Sequence, residues 1–132
     1  MEATAKHFRK RDAILHCLRS TDVHPSAEWV YEQLKAEHSD ISLATVYRNL
    51  ARFKERGEII TVGTVHGTER FDGNTKPHVH FICTACGSVL DFHQIAVPEE
   101  LTKSVSGIGQ VNSCHLTFTG ICNECINKEE TA

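Results

Sequence analysis

The residues best suited to chemistry crowd one stretch, Pro77 to His93, which reads PHVHFICTACGSVLDFH. His78 and His80 stand two residues apart, Cys83 and Cys86 form a Cys-x-x-Cys pair, and Asp91 follows five residues after Cys86. A second pair, Cys122 and Cys125, lies in GICNEC. Two thiolates on a tight turn make half of a tetrahedral zinc site, and two such pairs make a whole one. Cys83, Cys86, Cys122 and Cys125 are therefore read as a structural zinc set that staples the C-terminal end onto the central segment. The histidines offer different chemistry. Val79, Phe81 and Ile82 mark a strand, and in a strand residues i and i+2 share a face. That places the His78 and His80 imidazoles side by side, within reach of a single metal ion.

The totals limit what can surround these groups. A chain of 132 residues forms one domain or two small ones. A small domain buries little core and gains from a structural metal. No apolar run is long enough to cross a membrane, and the opening MEATAKHFRKRD lacks the apolar region of a signal peptide. The expected location is cytoplasmic, where six cysteines stay reduced. A disulfide framework is the alternative for an even cysteine count. The net charge of −3 hides an asymmetry: residues 1–57 carry ten Lys/Arg against eight Asp/Glu, and residues 58–132 carry four against nine. The first part, at +2, suits phosphate; the second, at −5, suits metal.

The first part must position a recognition surface. Arg9 to Arg19 reads as a short amphipathic helix with Ala13, Ile14, Cys17 and Leu18 on its apolar face. Cys17 is there a buried, inert thiol. Pro25 disfavours a helical His24, and Ser26 caps a second helix running to about Glu37, with Trp29, Val30 and Leu34 inward. His24 thus sits on a connection, where a histidine is commonly no more than a loop residue. The third helix, SLATVYRNLARFKERG, has Ser42 as N-cap, Gly57 as stop, and Leu43, Val46, Leu50 and Phe53 as its buried stripe. Thr45, Tyr47, Arg48, Asn49, Arg52 and Arg56 are placed on or beside the opposite face, where arginine can take guanine, asparagine adenine, and threonine or tyrosine a phosphate or methyl. A solvated basic face is the alternative. Three helices after short connections give a helix-turn-helix. The strand from Ile59 to Val65, a turn at the exposed His66 and Gly67, and a returning Glu69 to Asp72 add a wing.

GNTKP then reads as a linker. The expected organisation is α+β: a winged helix-turn-helix over 1–73, a hinge over 74–77, and a small α/β domain with the four-cysteine zinc site over 78–132. In the last, Val97 to Ser106 reads as a helix starting around Pro98, Gln110 to Gly120 as a strand, and the tail after Cys125 as frayed. Exposed strand edges and the two-fold symmetry of a palindromic DNA site both predict a homodimer through residues after about 78.

HPSAEWVY, SLATVYRNL, RFD, HVHFICTACG and CNEC together resemble the Fur family of bacterial metal-dependent repressors, and the likeness spans nearly the whole chain. It implies a DNA-binding winged helix, a dimerisation domain, and the structural zinc on the four cysteines. It further implies a regulatory metal, Fe(II) or Mn(II), held by His24, Asp72, His78, His80 and Asp91. Asp91 stands where iron-sensing members often have glutamate, so the chain is most similar to the peroxide-sensing members. For those the resemblance implies Fe(II)-driven oxidation of a ligand imidazole, His24 or His78. A further metal site of many members is implied to be absent, its places being Pro77 and Val79. The resemblance also implies a shortened N-terminal helix, with HFRKR replacing a TPQR-like stretch, and gives Cys114 and His115 no more than a structural role.

Three imidazoles and two carboxylates suit Fe(II) or Mn(II), whereas four thiolates suit zinc. A sensor of iron, manganese or zinc concentration without oxidation chemistry is the sibling reading. A metalloenzyme is opposed by the lack of a serine or cysteine nucleophile paired with a base, and a deaminase by the lack of an H-x-E partner to the cysteine pairs. A zinc-ribbon scaffold without a DNA role is opposed by the polar face of the third helix.

Overall fold

The computed structural model describes residues 2–76, 78–92, 98–112 and 114–131. The chain divides into two units, Met1–Thr75 and Lys76–Ala132. Pro77 of the expected hinge lies outside the described residues.

The first unit comprises α1 (Glu2–Arg19), α2 (Ala27–Leu34), α3 (Leu43–Glu55), β1 (Ile60–Val65) and β2 (Thr68–Asp72). Apolar residues three and four apart put one stripe of each helix inward. Ile14 and Leu18 from α1, Val30 from α2, and Val46, Leu50 and Phe53 from α3 close a core with Ile59 and Phe71. Both predicted serine caps form. Ser26 Oγ accepts the Trp29 N–H and Ser42 Oγ accepts the Thr45 N–H, each at 3.1 Å. The end of α3 is a Schellman turn: Glu58 N–H donates to Phe53 O at 2.9 Å and Gly57 N–H to Lys54 O at 3.1 Å, with Gly57 at φ 72°. The wing is an antiparallel pair with a bulge between Thr61 and Gly63. Its two-residue turn has His66 at φ 50° and Gly67 at φ 78°, the positive pair that matches strand twist.

Two helix bounds depart from expectation. α1 begins at Glu2, not near Arg9. Nothing between Glu2 and Arg9 is a glycine or proline, and a helix continues through such residues at little cost. α2 ends at Leu34 rather than near Glu37. Lys35, Ala36 and Glu37 are exposed, and His38 N–H to Leu34 O followed by Ile41 N–H to His38 O, both 2.9 Å, turns the chain so that Ile41 re-enters the core.

The second unit is a three-stranded sheet of β3 (Val79–Cys83), β4 (Val89–Phe92) and β5 (Leu116–Gly120), with α4 (Glu99–Ser104) and α5 (Asn123–Thr131). The order is β4-β3-β5; β4 runs antiparallel to β3 and β5 parallel to it. Directly paired residues share a face. The registers Val79↔Phe92, Phe81↔Leu90, Val79↔Leu116 and Phe81↔Phe118 therefore collect six apolar side chains on one side of the sheet. Leu90, Phe92 and Phe118 on that side are exposed. The opposite side carries His80, Ile82, Val89 and Asp91.

The expected strand from Gln110 shrinks to β5, because β3 offers only five residues to pair with, Val79↔Leu116 through Cys83↔Gly120. Ser113 lies outside the described residues, as does Val97, the expected start of the helix now seen as α4 with Pro98 at its N-cap. Among the described residues the tail after Cys125 is helical, as part of α5.

Candidate metal centres and recognition helix

Cys83 ends β3, and the chain reverses immediately. Gly87 N–H donates to Cys83 O and Cys83 N–H to Ser88 O, both at 2.9 Å, with Gly87 at φ 77°. Thr84 N–H donates to Gly120 O at 2.8 Å and brings the end of β5 alongside. This sets Cys122 and Cys125 against the first pair, and all four sulfurs lie within 4.8 Å of one another. Sγ of Cys83 stands 3.8 Å from that of Cys125, and Cys86 Sγ stands 3.9 Å from Cys122 Sγ. Those separations are far from a bonded pair, and all six cysteines are free. The Cys122 and Cys86 backbone N–H groups both point at Cys83 Sγ from 3.4 Å, and they hold its pKa down to about 6. Donation of the Cys125 S–H to Cys122 pushes the Cys125 thiol up to about 12. Four sulfurs this close cannot all ionise by themselves, and a dication at their centre removes the conflict. The donor set therefore fits zinc.

Each unit carries part of the histidine and aspartate set. In the second unit, strand alternation places His78 beside His80, with ring centroids 4.2 Å apart. The register sets His80 opposite Asp91. Asp91 Oδ1 stands 3.1 Å from His78 Nε2 and 3.3 Å from His80 Nε2. Lys76 O lies 2.7 Å from His78 Nδ1. A carbonyl can only accept, so Nδ1 carries the proton and Nε2 is left facing the carboxylate. Neutral Nε2 and a carboxylate oxygen both present lone pairs, an arrangement satisfied by a cation or a second proton. In the first unit His24 Nε2 lies 3.3 Å from Asp72 Oδ2, and both residues are buried. The other Asp72 oxygen accepts the Asn74 N–H at 2.8 Å, which fixes the carboxylate's rotation. Imidazoles and carboxylates of this kind fit Fe(II) or Mn(II).

On α3, Tyr47, Arg48 and Arg52 are exposed as expected. Tyr47 donates its hydroxyl to Glu28 Oε1 at 2.5 Å, which lowers the glutamate pKa and raises that of the tyrosine. Thr45 and Asn49 are not on the exposed face. Thr45 is buried with its hydroxyl 2.9 Å from that of Ser42. Asn49 is 3% exposed and donates Nδ2–H to Thr45 O at 2.9 Å. The reason is spacing: position 49 lies three residues after Val46 and four before Phe53, on the apolar stripe itself.

The sequence model of the ferric uptake regulator family matches residues 2–126. The chain belongs to this family. It is 37% identical over 123 residues to a peroxide-responsive repressor, PerR, of Staphylococcus epidermidis, covering 92% of this chain and 80% of the relative. A peroxide operon regulator of Bacillus subtilis is 37% identical over 122 residues, covering 91% and 83%. The fold is similar to the crystal structure of a Campylobacter jejuni peroxide stress regulator, with TM-score 0.80, 27% identity and 94% of each chain covered. As a ferric uptake regulator family member, the protein is a metal-responsive regulator with a mixed helix and strand fold.

Two contacts escaped the reading of the sequence. The Glu28–Tyr47 bond joins residues nineteen apart on different helices, and no local pattern signals it. Arg70, whose Nε and Nη2 donate to the backbone carbonyls of His24 and Val23, has only its place beside Asp72 as a signal. Among the described residues no helix is long and apolar enough to cross a membrane.

Proposed function

We propose that this protein is a cytoplasmic, homodimeric repressor that binds palindromic double-stranded DNA when metal-loaded and releases it after reaction with hydrogen peroxide. The winged helix of residues 1–73 binds DNA, residues 74–77 act as the hinge, and residues 78–132 dimerise and hold zinc on Cys83, Cys86, Cys122 and Cys125. A single regulatory Fe(II) or Mn(II) takes ligands from His24 and Asp72 in one unit and His78, His80 and Asp91 in the other. The observation that carries this reading is the sharing of Asp91 Oδ1 between two imidazoles, which sets a hard-donor cluster apart from the thiolates. The names of the three relatives above support peroxide as the signal.

Each residue group has a distinct task. Tyr47, Arg48 and Arg52 present hydroxyl and guanidinium groups to phosphates and base edges. Thr45 and Asn49 act from within, Thr45 by accepting the Arg48 guanidinium at 3.2 Å. His24 and Asp72 report the position of the winged helix to the metal, so that one arrangement of the units is favoured when the metal is bound. DNA that prefers the same arrangement then tightens metal binding in return. Iron held by these five side chains would activate the peroxide O–O bond; over the whole reaction the imidazole of His24 or His78 would give up two electrons and gain one oxygen atom, and the other peroxide oxygen would leave as water. The apolar side of the β4-β3-β5 sheet supplies the surface for the second copy.

The test is peptide mass spectrometry after anaerobic loading with Fe(II) or Mn(II) and about one equivalent of peroxide per protein. The expected result is one added oxygen on the His24 or His78 peptide with iron only, accompanied by loss of DNA binding. Metal-controlled DNA binding with no histidine oxidation under either metal would replace this reading with a concentration sensor.

A further inference from the structure

The regulatory ligand His24 has a backbone that its sequence does not favour. It sits at φ 55°, in the left-handed region that most non-glycine residues avoid, and directly before Pro25. Such a conformation persists only where the surroundings over-determine it. The surroundings here are the last three residues of β2 and the glycine that follows them. Arg70 Nη2–H donates to Val23 O at 2.6 Å, Arg70 Nε–H donates to His24 O, and Phe71 N–H donates to Pro25 O at 2.9 Å. Three successive carbonyls around His24 thus receive donors from two successive residues of the wing. Asp72 then meets the His24 ring. Gly73 passes so close to the end of α1 that a Cβ there would stand 2.9 Å from the Leu18 and Arg19 backbone.

We propose that Arg70 is the positioning residue for His24: its guanidinium fork grips the carbonyls on both sides of the His24 backbone and aims the imidazole at the metal. The proposal rests on the reading of His24 as a regulatory ligand. A planar fork can serve two carbonyls from fixed directions. A lysine carries the same charge on one rotatable point and cannot reproduce the grip. Because the grip comes from β2, the wing and the His24 connection move as one body, and the ligand travels with the DNA-binding unit.

The experiment is anaerobic Mn(II) titration by calorimetry of the full chain, as wild type, Arg70→Lys, Arg70→Gln, His24→Gly and the double variant His24→Gly/Arg70→Lys. Circular dichroism first establishes that each is folded. Groups that orient a metal ligand are typically worth 10–100-fold in affinity, so Arg70→Lys and Arg70→Gln are each expected to weaken Mn(II) about tenfold or more. Glycine accepts φ 55° without strain and offers no ligand, so in the His24→Gly background Arg70→Lys should change affinity by less than about twofold. Unchanged Mn(II) affinity in folded Arg70→Lys would overturn the proposal and reduce Arg70 to a packing role. An equal loss in both backgrounds would overturn it too, since the effect would not pass through His24. If His24→Gly alone leaves Mn(II) affinity intact, the ligand reading falls and the proposal with it.

Discussion

Replacing Cys83 by serine should unfold the second unit while sparing the first. Among the described residues, the buried apolar side chains of the second unit are Val79, Ile82, Val89 and Cys83 itself. Burying three aliphatic side chains contributes about 5–9 kcal/mol at roughly 1.5–3 each. A structural zinc in a small site contributes about 10–16 kcal/mol at neutral pH, so the metal outweighs that core. Cys83 is the most committed of the four sulfurs: it is 0% exposed, accepts two backbone N–H groups at 3.4 Å, and stands 3.8 Å from Cys125. A serine oxygen at this position is a shorter and harder donor, and losing even a quarter of the binding free energy, roughly 3 kcal/mol, lowers zinc affinity more than a hundredfold. The assay is zinc content by elemental mass spectrometry together with amide hydrogen exchange. The expected result is loss of zinc to a chelator that the wild type withstands, the affinity having fallen more than a hundredfold, with protection lost over β3, β5 and α5 and retained over α1 to α3. Stoichiometric zinc after the chelator, or a zinc-free protein with β5 and α5 still protected, would refute the staple.

Three other outcomes test separate parts of the account. Asp91→Glu should lower the yield of histidine oxidation by iron and peroxide severalfold while Mn(II)-dependent DNA binding, followed by fluorescence anisotropy, stays within about threefold; equal oxidation would mean this carboxylate does not set the sensor type. Phe118→Arg puts a charge in the middle of the apolar sheet face and should convert dimer to monomer by light scattering, and an unchanged mass would place the dimer contact elsewhere. The Glu28 carboxyl, held down by the Tyr47 hydroxyl, should titrate below the ordinary glutamate range by carbon NMR and return to it in Tyr47→Phe. Its folded pKa is depressed, so the stabilisation it gives is complete above the unfolded pKa and is lost as pH falls through the folded one; a Glu28 titration unchanged by Tyr47→Phe would remove the hydrogen bond as the cause.

The elements were legible where chemistry is local. Ser26 and Ser42 cap the helices that follow them, the glycine after α3 stops it, and His66-Gly67 turns the wing, because each depends on a few neighbouring residues. The zinc cysteines were legible because Cys-x-x-Cys is itself a statement about a turn. Burial along α3 was less so. Asn49 has the right chemistry for adenine, and residue type prevailed over position in placing it, although its distance from Val46 and Phe53 puts it inside. The His24 conformation was not legible at all. Pro25 argues against a helical residue there but cannot say that the chain turns left-handed, since what holds it is a guanidinium forty-six positions away. The parallel pairing of β5 with β3 is likewise a matter of topology, and strand pattern alone carries no direction.

The thiolate cluster joins positions 36 and 42 residues apart across the exposed segment that follows α4. With its metal in place, it acts as a clasp around that segment. A protease that cuts between Ser104 and Asn112 would nick the chain without dividing it. The C-terminal piece would stay on through the β3–β5 ladder and its two metal–sulfur bonds, running as two bands on a denaturing gel and as one species in solution. Adding a chelator would part them. A preparation that looks intact by size can therefore hide cut molecules, and the metal rather than the peptide bond would be holding the second unit together.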